Sequence, residues 1–224
     1  MRSLGLLCAA AVLFLSAAPK TRAQMGVRPG TPGLSGLWQP TVGAGASYEV
    51  RGEGQSKQPF ELAIIGKENV QGKDGVWVEF TISAEQIGTM IVKELVLFDP
   101  AKMQMHTFKA IIELPGHPPM ELPEETMQAQ QPFEFDGVRA ESVDLGNESV
   151  KTLAGIFKCE HYRAKDGSSE FWVSKQVLPM GLVKSQGKGR TVTLVKVVKD
   201  AKDKISGIAQ PFDPMMFMPQ QPQQ

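Results

Sequence analysis

The seven residues VWVEFTI at positions 76–82 decide the fold class of this 224-residue chain. Their side chains fall into two alternating sets, with Val76, Val78, Phe80 and Ile82 in one and Trp77, Glu79 and Thr81 in the other. Successive residues of a β-strand point to opposite faces of the sheet. One apolar set beside one partly polar set therefore predicts a half-buried strand.

Further segments of strand character lie on both sides of this one. They are residues 48–51, 60–65, 89–98, 103–112, 155–163, 170–174, 181–185 and 190–199. Turn residues separate them at positions 73–75, 99–102, 166–167 and 187–189. Asp99-Pro100 favours a type I turn, so residues 89–98 and 103–112 are predicted to form a hairpin. Helical signal is confined to residues 121–131 and 200–206. Because no segment is long enough for a crossover helix, we expect an antiparallel meander.

Several of these segments are apolar on both faces. In residues 89–98, Val92 and Val96 lie on one side while Ile91 and Leu95 lie on the other. A sheet with one solvated face would alternate more cleanly, so both faces are expected to be covered. The cover is either protein, as in a sandwich or barrel, or a ligand on the concave face of a curved sheet. The fold class is mainly β: a single antiparallel curved sheet or incomplete β-barrel with one or two short helices.

The chain begins with the pattern of a secretory signal peptide. Arg2 precedes an uncharged apolar run over residues 4–18, and Thr21 and Ala23 fit the small-x-small cleavage pattern. The run is shorter than the roughly 20 residues of a membrane span. We therefore expect cleavage after Ala23, no transmembrane span in the mature chain, and a periplasmic or secreted protein of the bacterial envelope.

The rest of the chain divides by composition into three parts. Residues 24–46 are rich in Gly and Pro and predict an extended lead-in segment, with Leu37 and Trp38 as an anchor onto the domain. Residues 47–206 form the β domain. Residues 207–224 are rich in Pro, Gln and Met and predict a flexible tail.

Charge argues against one class of partner, and cysteine content argues against an internal disulfide. The full chain has 24 basic and 24 acidic residues, and loss of the signal with its three basic residues leaves a net charge of −3. This balance argues against nucleic acid as a partner. Cys159 is the single cysteine of the mature chain, so no intramolecular disulfide is expected.

Residues that bear chemistry form no catalytic pattern. A Gly-x-Ser-x-Gly motif, a phosphate loop and a paired acid–base couple are all absent from the sequence, so we expect no enzyme and no cofactor. Cys159 and His161 share a strand face, but a metal site needs three or four ligands. Met215, Met216 and Met218 have thioether side chains of the kind that bind Cu(I). Such a cluster is more often an apolar tail, so no metal is assigned.

Three segments resemble a known family. They are residues 148–163 (ESVKTLAGIFKCEHYR), 170–175 (EFWVSK) and 178–184 (LPMGLVK). Their order of Gly-containing turn, aromatic strand and Pro-containing turn is similar to that of uncharacterised exported bacterial β proteins related to the LolA/LolB-type periplasmic lipoprotein carriers. The resemblance implies an incomplete β-barrel around an apolar cavity that holds acyl chains by burial.

The sequence thus favours a non-catalytic periplasmic binding or carrier protein for a lipid, an acyl chain or another hydrophobic partner. Strand parity gives the candidate ligand-binding residues Val78, Phe80, Val92, Val96, Phe157, Phe171, Val192 and Leu194. The opposite parity, with Trp77, Ile91, Leu95 and Trp172, stays open. The alternative function is a structural or protein-interaction module of the cell envelope that acts through its tail and has no small-molecule ligand.

Overall fold

The computed structural model describes residues 38–52, 56–84, 88–99, 104–125, 133–134, 142–187 and 189–213. The predicted signal peptide, most of the lead-in segment and tail residues 214–224 lie outside these ranges. Within them, the chain contains no helix with the length and apolar character needed to cross a membrane.

The described residues form thirteen β-strands. They are β1 Gly45–Gly52, β2 Gln58–Val70, β3 Lys73–Ala84, β4 Gly88–Asp99, β5 Gln104–Glu113, β6 Met120–Glu121, β7 Phe133–Glu134, β8 Ser142–Thr152, β9 Gly155–Ala164, β10 Ser169–Val173, β11 Leu182–Gly187, β12 Arg190–Val198 and β13 Gln210–Pro211. All nine predicted strands are present, most of them longer than expected.

One curved, open sheet contains all the strands. Its order is β13-β6-β5-β4-β3-β2-β1-β12-β11-β10-β9-β8, with β7 also paired to β5. Every pairing is antiparallel except that of β13 with β6. The predicted mainly β fold with a single curved antiparallel sheet is confirmed.

Three local expectations differ from the structure. The turn predicted at residues 73–75 lies two residues earlier, at Gln71-Gly72, where both residues have positive φ (52° and 80°). Residues 200–206 form no helix, because the amides of Lys204 and Ile205 bind carboxylates of Glu79 and Asp203 instead of helical carbonyls. Of the helix predicted over residues 121–131, residues 124 and 125 are helical, the first residue belongs to β6 instead, and residues 126–131 lie outside the described part of the chain.

The register of the first half of the sheet creates two distinct faces. On the face that we call the inner face, Leu62 of β2 lies beside Phe80 of β3, which lies beside Val92 of β4. The rings of Tyr48, Phe60 and Phe80 stack along it with centroids 6.0 and 6.2 Å apart. This arrangement confirms the predicted parity of the 76–82 and 89–98 segments.

The opposite, outer face is crossed by the segment after β12, residues 199–209, which we call the strap. The Lys204 amide donates to Glu79 Oε2 at 2.9 Å, and its ammonium donates to Glu61 at 2.5 Å and Thr81 at 2.8 Å. The strap then pairs with the sheet edge at β13, where Gln210 lies beside Met120. The segment therefore ties β12 in the middle of the sheet to β6 near one end.

A close backbone approach at Gly45 gives a test of the register. A Cβ at Gly45 would lie 2.6 Å from the Leu62 carbonyl oxygen of the neighbouring strand. We expect Gly45→Ala to force the strands apart and to lower the free energy of unfolding by about 1–3 kcal/mol, as measured by urea denaturation. Gly66→Ala is the matched control, because its Cβ would meet Trp77 at an ordinary 3.6 Å. Equal midpoints for the two variants would contradict the β1–β2 register.

Candidate functional site

The inner face holds a buried apolar cluster that draws residues from both halves of the sheet. Its buried members are Leu62, Ile64, Val78, Phe80, Met90, Val92, Val96, Met105, Ile112, Met120, Val173 and Met180. Val173 ends β10 and Met180 lies in the loop after it. The sheet therefore curves far enough for its second half to pack on the inner face of its first half.

Four of the twelve buried members of this cluster are methionines. Met90, Met105 and Met120 come from β4, β5 and β6, and Met180 comes from the β10–β11 connection. Methionine is unbranched and rotates about three bonds, so its side chain fits irregular or changing surroundings. The four methionines therefore make the inner-face cluster adaptable.

A loop between β10 and β11, residues 174–181, covers part of the inner face. Its two ends meet through the Ser174 amide and the Gly181 carbonyl at 2.7 Å, and the Pro179 carbonyl accepts from the Gln39 amide at 3.0 Å. Trp38, next to Gln39, packs against the cluster, so it anchors the chain as the sequence predicted. Leu37, the other predicted anchor, lies outside the described residues.

The predicted ligand-binding residues are all buried but do not form one site. Val78, Phe80, Val92 and Val96 lie together in the inner-face cluster. A second cluster contains Phe157, Val192 and Leu194, together with Ala46, Tyr48, Val50, Cys159, Trp172, Val177, Leu182 and Val183. That these residues bind a ligand stays a prediction.

The pairing of β9 with β10 places Phe157 and Phe171 on opposite sides of the sheet, although strand parity had grouped them. Phe171 lies beside Tyr162, whereas Trp172 lies beside His161. Because residues alternate along a strand, Phe157 shares a side of β9 with His161 and is opposite to Phe171. Of the residues of opposite parity, Leu95 is fully buried on the outer face and Trp77 lies there beneath the Lys93 ammonium.

A carboxyl group lies within the apolar inner face. Glu94 is 3% exposed, and the register places it between Val78 of β3 and Ala110 of β5. The Thr107 hydroxyl donates to its Oε2 at 3.1 Å. Burial raises the pKa of Glu94 to about 7, since an ionised carboxylate is poorly solvated there.

Sequence reasoning missed Glu94, although a signal for it was present. Glu94 stands between Val92 and Val96 at the same parity, which points its side chain to the same face as theirs. No comparable pattern in the sequence indicates that Thr107 and the methionines lie near Glu94. Their position beside it depends on register shifts between strands, such as the bulge between Leu95 and Val96.

Cys159 and His161 behave differently from a metal pair. Cys159 is 1% exposed, and burial raises the pKa of its thiol to about 11, which keeps it a poor nucleophile. No group of three His, Cys, Asp or Glu residues in the described ranges is placed to hold a metal ion. The methionines at positions 215, 216 and 218 lie outside those ranges.

Comparison with known proteins gives only distant likenesses. No protein-family model matches the chain, and no curated protein matches it in sequence. Among solved structures, a protein named as a lipoprotein from Parabacteroides distasonis overlaps at 11% identity and a TM-score of 0.37, over 72% of this chain and 97% of its own. A protein named as an exported protein with a YmcC-like fold, from Bacteroides fragilis, has 11% identity and a TM-score of 0.40, over 73% of this chain and 99% of its own. MucB has 9% identity and a TM-score of 0.43, over 78% of this chain and 60% of its own. These matches are weak and partial in both sequence identity and structural overlap.

The environment of Glu94 predicts how stability depends on pH. Its folded-state pKa of about 7 lies above the ordinary value of 4.5, so the native protein retains a proton that the unfolded chain loses. Stability should therefore fall as pH rises from 4.5 to 7, by roughly 3 kcal/mol in total. Glu94→Gln keeps an acceptor for Thr107 and should remove this fall.

Urea unfolding at pH 5 and pH 8 measures the effect. The gain from Glu94→Gln should be small at pH 5 and largest at pH 8. Glu125→Gln, at an exposed carboxyl, is the control and should change neither value. A stability gain that is the same at both pH values would show that Glu94 does not titrate as described.

Proposed function

We propose that the protein is exported to the bacterial envelope and binds an apolar ligand, such as an acyl chain, on its inner face without catalysing a reaction. The observation that supports this most directly is the methionine-rich cluster of the inner face, covered in part by a loop that contributes Met180. An adaptable apolar surface beneath a loop is suited to exchanging one apolar contact for another.

The loop is held in a way that would let it exchange with a ligand. Two of its backbone hydrogen bonds close the loop on itself, from Ser174 to Gly181 and from Gly181 to Val177. A backbone hydrogen bond from the Gln39 amide joins the loop to the rest of the chain. Movement of the loop as a unit would keep its internal bonds and would withdraw Val177 from the second cluster and Met180 from the inner-face cluster.

Burial alone would supply the binding free energy of such a ligand. Apolar surface removed from water contributes about 25 cal/mol per Å². A ligand that replaced Met180 and Trp38 over the cluster would bury its own apolar surface and expose theirs, so the difference between the two areas sets the binding free energy. Since the contacts are non-directional, the ligand would be selected by length and shape more than by polar groups.

Native purification and lipid mass spectrometry test this proposal. The full chain, expressed with its own signal, should yield mature protein beginning at Gln24 together with a stoichiometric apolar species. Added palmitate should raise the melting temperature by about 5 °C or more at roughly 100 times Kd. Protein that is free of lipid and shows no shift with palmitate would contradict the proposal.

The loop variant Met180→Ala sharpens this test. It removes buried contact between loop and cluster, so the unliganded protein should melt at a lower temperature. Because the loop competes with the ligand, palmitate should then bind more tightly than to the wild type. Leu153→Ala, at a side chain 81% exposed, is the control and should alter neither quantity.

A second candidate function is a protein-interaction module that acts through the tail. It is favoured by the pairing of Gln210 and Pro211 with β6, which fixes where the tail leaves the sheet. Deleting residues 214–224 keeps β13 and should leave the unfolding midpoint unchanged. Under this candidate, cross-linking of the full chain to envelope proteins would be lost on deletion. Unchanged cross-linking would exclude the tail as the contact element.

A further inference from the structure

His161 on β9 lies between carboxylates from both neighbouring strands. Its Nδ1 is 3.2 Å from Glu148 Oε1 of β8, and its Nε2 is 3.3 Å from Glu170 Oε2 of β10. The ring stacks on Trp172 with centroids 4.3 Å apart and planes at 19°. One imidazole therefore contacts an acceptor at each of its two nitrogens.

The number of hydrogens on these groups determines which contacts can be hydrogen bonds. An ionised carboxylate only accepts, and a neutral imidazole has a single N–H. Glu148 Oε1 also accepts from the Trp172 indole N–H, and the Arg163 guanidinium holds the pKa of Glu170 below its usual value. Both carboxylates thus act as acceptors. The two contacts of His161 are both hydrogen bonds only when each ring nitrogen carries a hydrogen.

The other charged and titratable groups around the ring bind its neighbours. Arg163 of β9 donates to Glu170 Oε1 at 2.7 Å, and Gln186 of β11 donates to Glu170 Oε2 at 3.3 Å. The Lys184 ammonium of β11 lies 4.5 Å from the centroid of the Trp172 ring. Cys159, on the same side of β9, is buried, and its pKa is raised by burial. Two carboxylates therefore contact the ring directly, and the nearby cations contact Glu170 and the stacked indole.

Apart from this bridge and the hydrogen bond from the Trp172 indole to Glu148, strand β8 has few contacts beyond β9. In the described part of the chain, β8 pairs with β9 alone and ends the sheet. Residues 143–149 are all exposed, and Val150 is the β8 residue that packs against the second cluster. The contact from Glu148 through His161 to Glu170 links β8 to β10 across β9.

We propose that doubly protonated His161 is a proton-dependent clip that fastens the edge hairpin β8–β9 to the rest of the sheet. Loss of one ring proton removes the hydrogen bond from His161 to one of the two carboxylates, and the edge hairpin opens more often. The clip responds to pH on the surface, away from the inner face. It does not depend on the proposed ligand.

Hydrogen exchange of β8 amides, combined with ¹⁵N spectra of the histidine rings, tests the clip on the full mature chain. At pH 5.5 both His161 nitrogens should carry hydrogen, and β8 amides should exchange on the order of ten times more slowly than in His161→Gln. At pH 8.5 that difference should shrink to the part due to stacking on Trp172. Each variant is compared with the wild type at the same pH, because titration of Glu94 also changes the stability of the protein between pH 5.5 and pH 8.5.

Three further variants make the outcome decisive. His106→Gln, at an exposed histidine of β5, should leave β8 exchange unchanged at both pH values. Glu170→Gln and Glu148→Gln each replace one carboxylate by an amide that can donate to an unprotonated nitrogen. Both should therefore lose the pH dependence while remaining folded by circular dichroism. A β8 difference that is equal at pH 5.5 and 8.5, or a ring with a single hydrogen at pH 5.5, would overturn the proposal.

Discussion

The structure depends on excluding water from one apolar sheet face. Leu62, Phe80 and Val92 lie side by side on neighbouring strands, and a flat sheet would leave them open to solvent. Curvature of the sheet covers this face. The register shifts at Ile64/Gly66 and Leu95/Val96 add local bends to the strands in which they occur. The second half of the sheet is thereby brought over the first, and Val173 and Met180 complete the cluster.

Two buried carboxyls show how differently the two faces are built. On the outer face, Glu79 is 1% exposed and receives the Lys204 amide, while the Lys204 ammonium lies 3.9 Å from its other oxygen. On the inner face, Glu94 accepts from the Thr107 hydroxyl. A buried carboxyl without a cation is costly when ionised. Burial raises the pKa of both carboxyls, and the strap gives Glu79 a backbone donor and a nearby ammonium, whereas Glu94 has a neutral hydroxyl beside it.

Alternation of apolar residues was sufficient to predict the class of fold and nine of the strands. It failed at β8, because residues 143–149 are exposed on both sides of an edge strand and no periodicity results. The helix expected over residues 200–206 is also absent, because the Lys204 amide binds Glu79, which is distant in sequence, and the Ile205 amide binds Asp203. For the candidate site, the sequence predicted which residues of one strand share a face, but it did not predict which strands contribute to the same cluster. Which strands face one another depends on bulges such as that between Trp172 and Val173, and these leave no local pattern.

The same curvature gathers apolar side chains from both halves of the sheet on the inner face. The buried members of the cluster are aliphatic, aromatic or thioether side chains, and Glu94 is shielded beside them with the Thr107 hydroxyl as its neighbour. The dense polar network around His161 lies instead on the β8–β11 region, where both ring nitrogens are occupied by carboxylates. The sheet therefore carries titratable groups in two different surroundings, with Glu94 buried in the inner face and His161 in a polar network near the β8 edge.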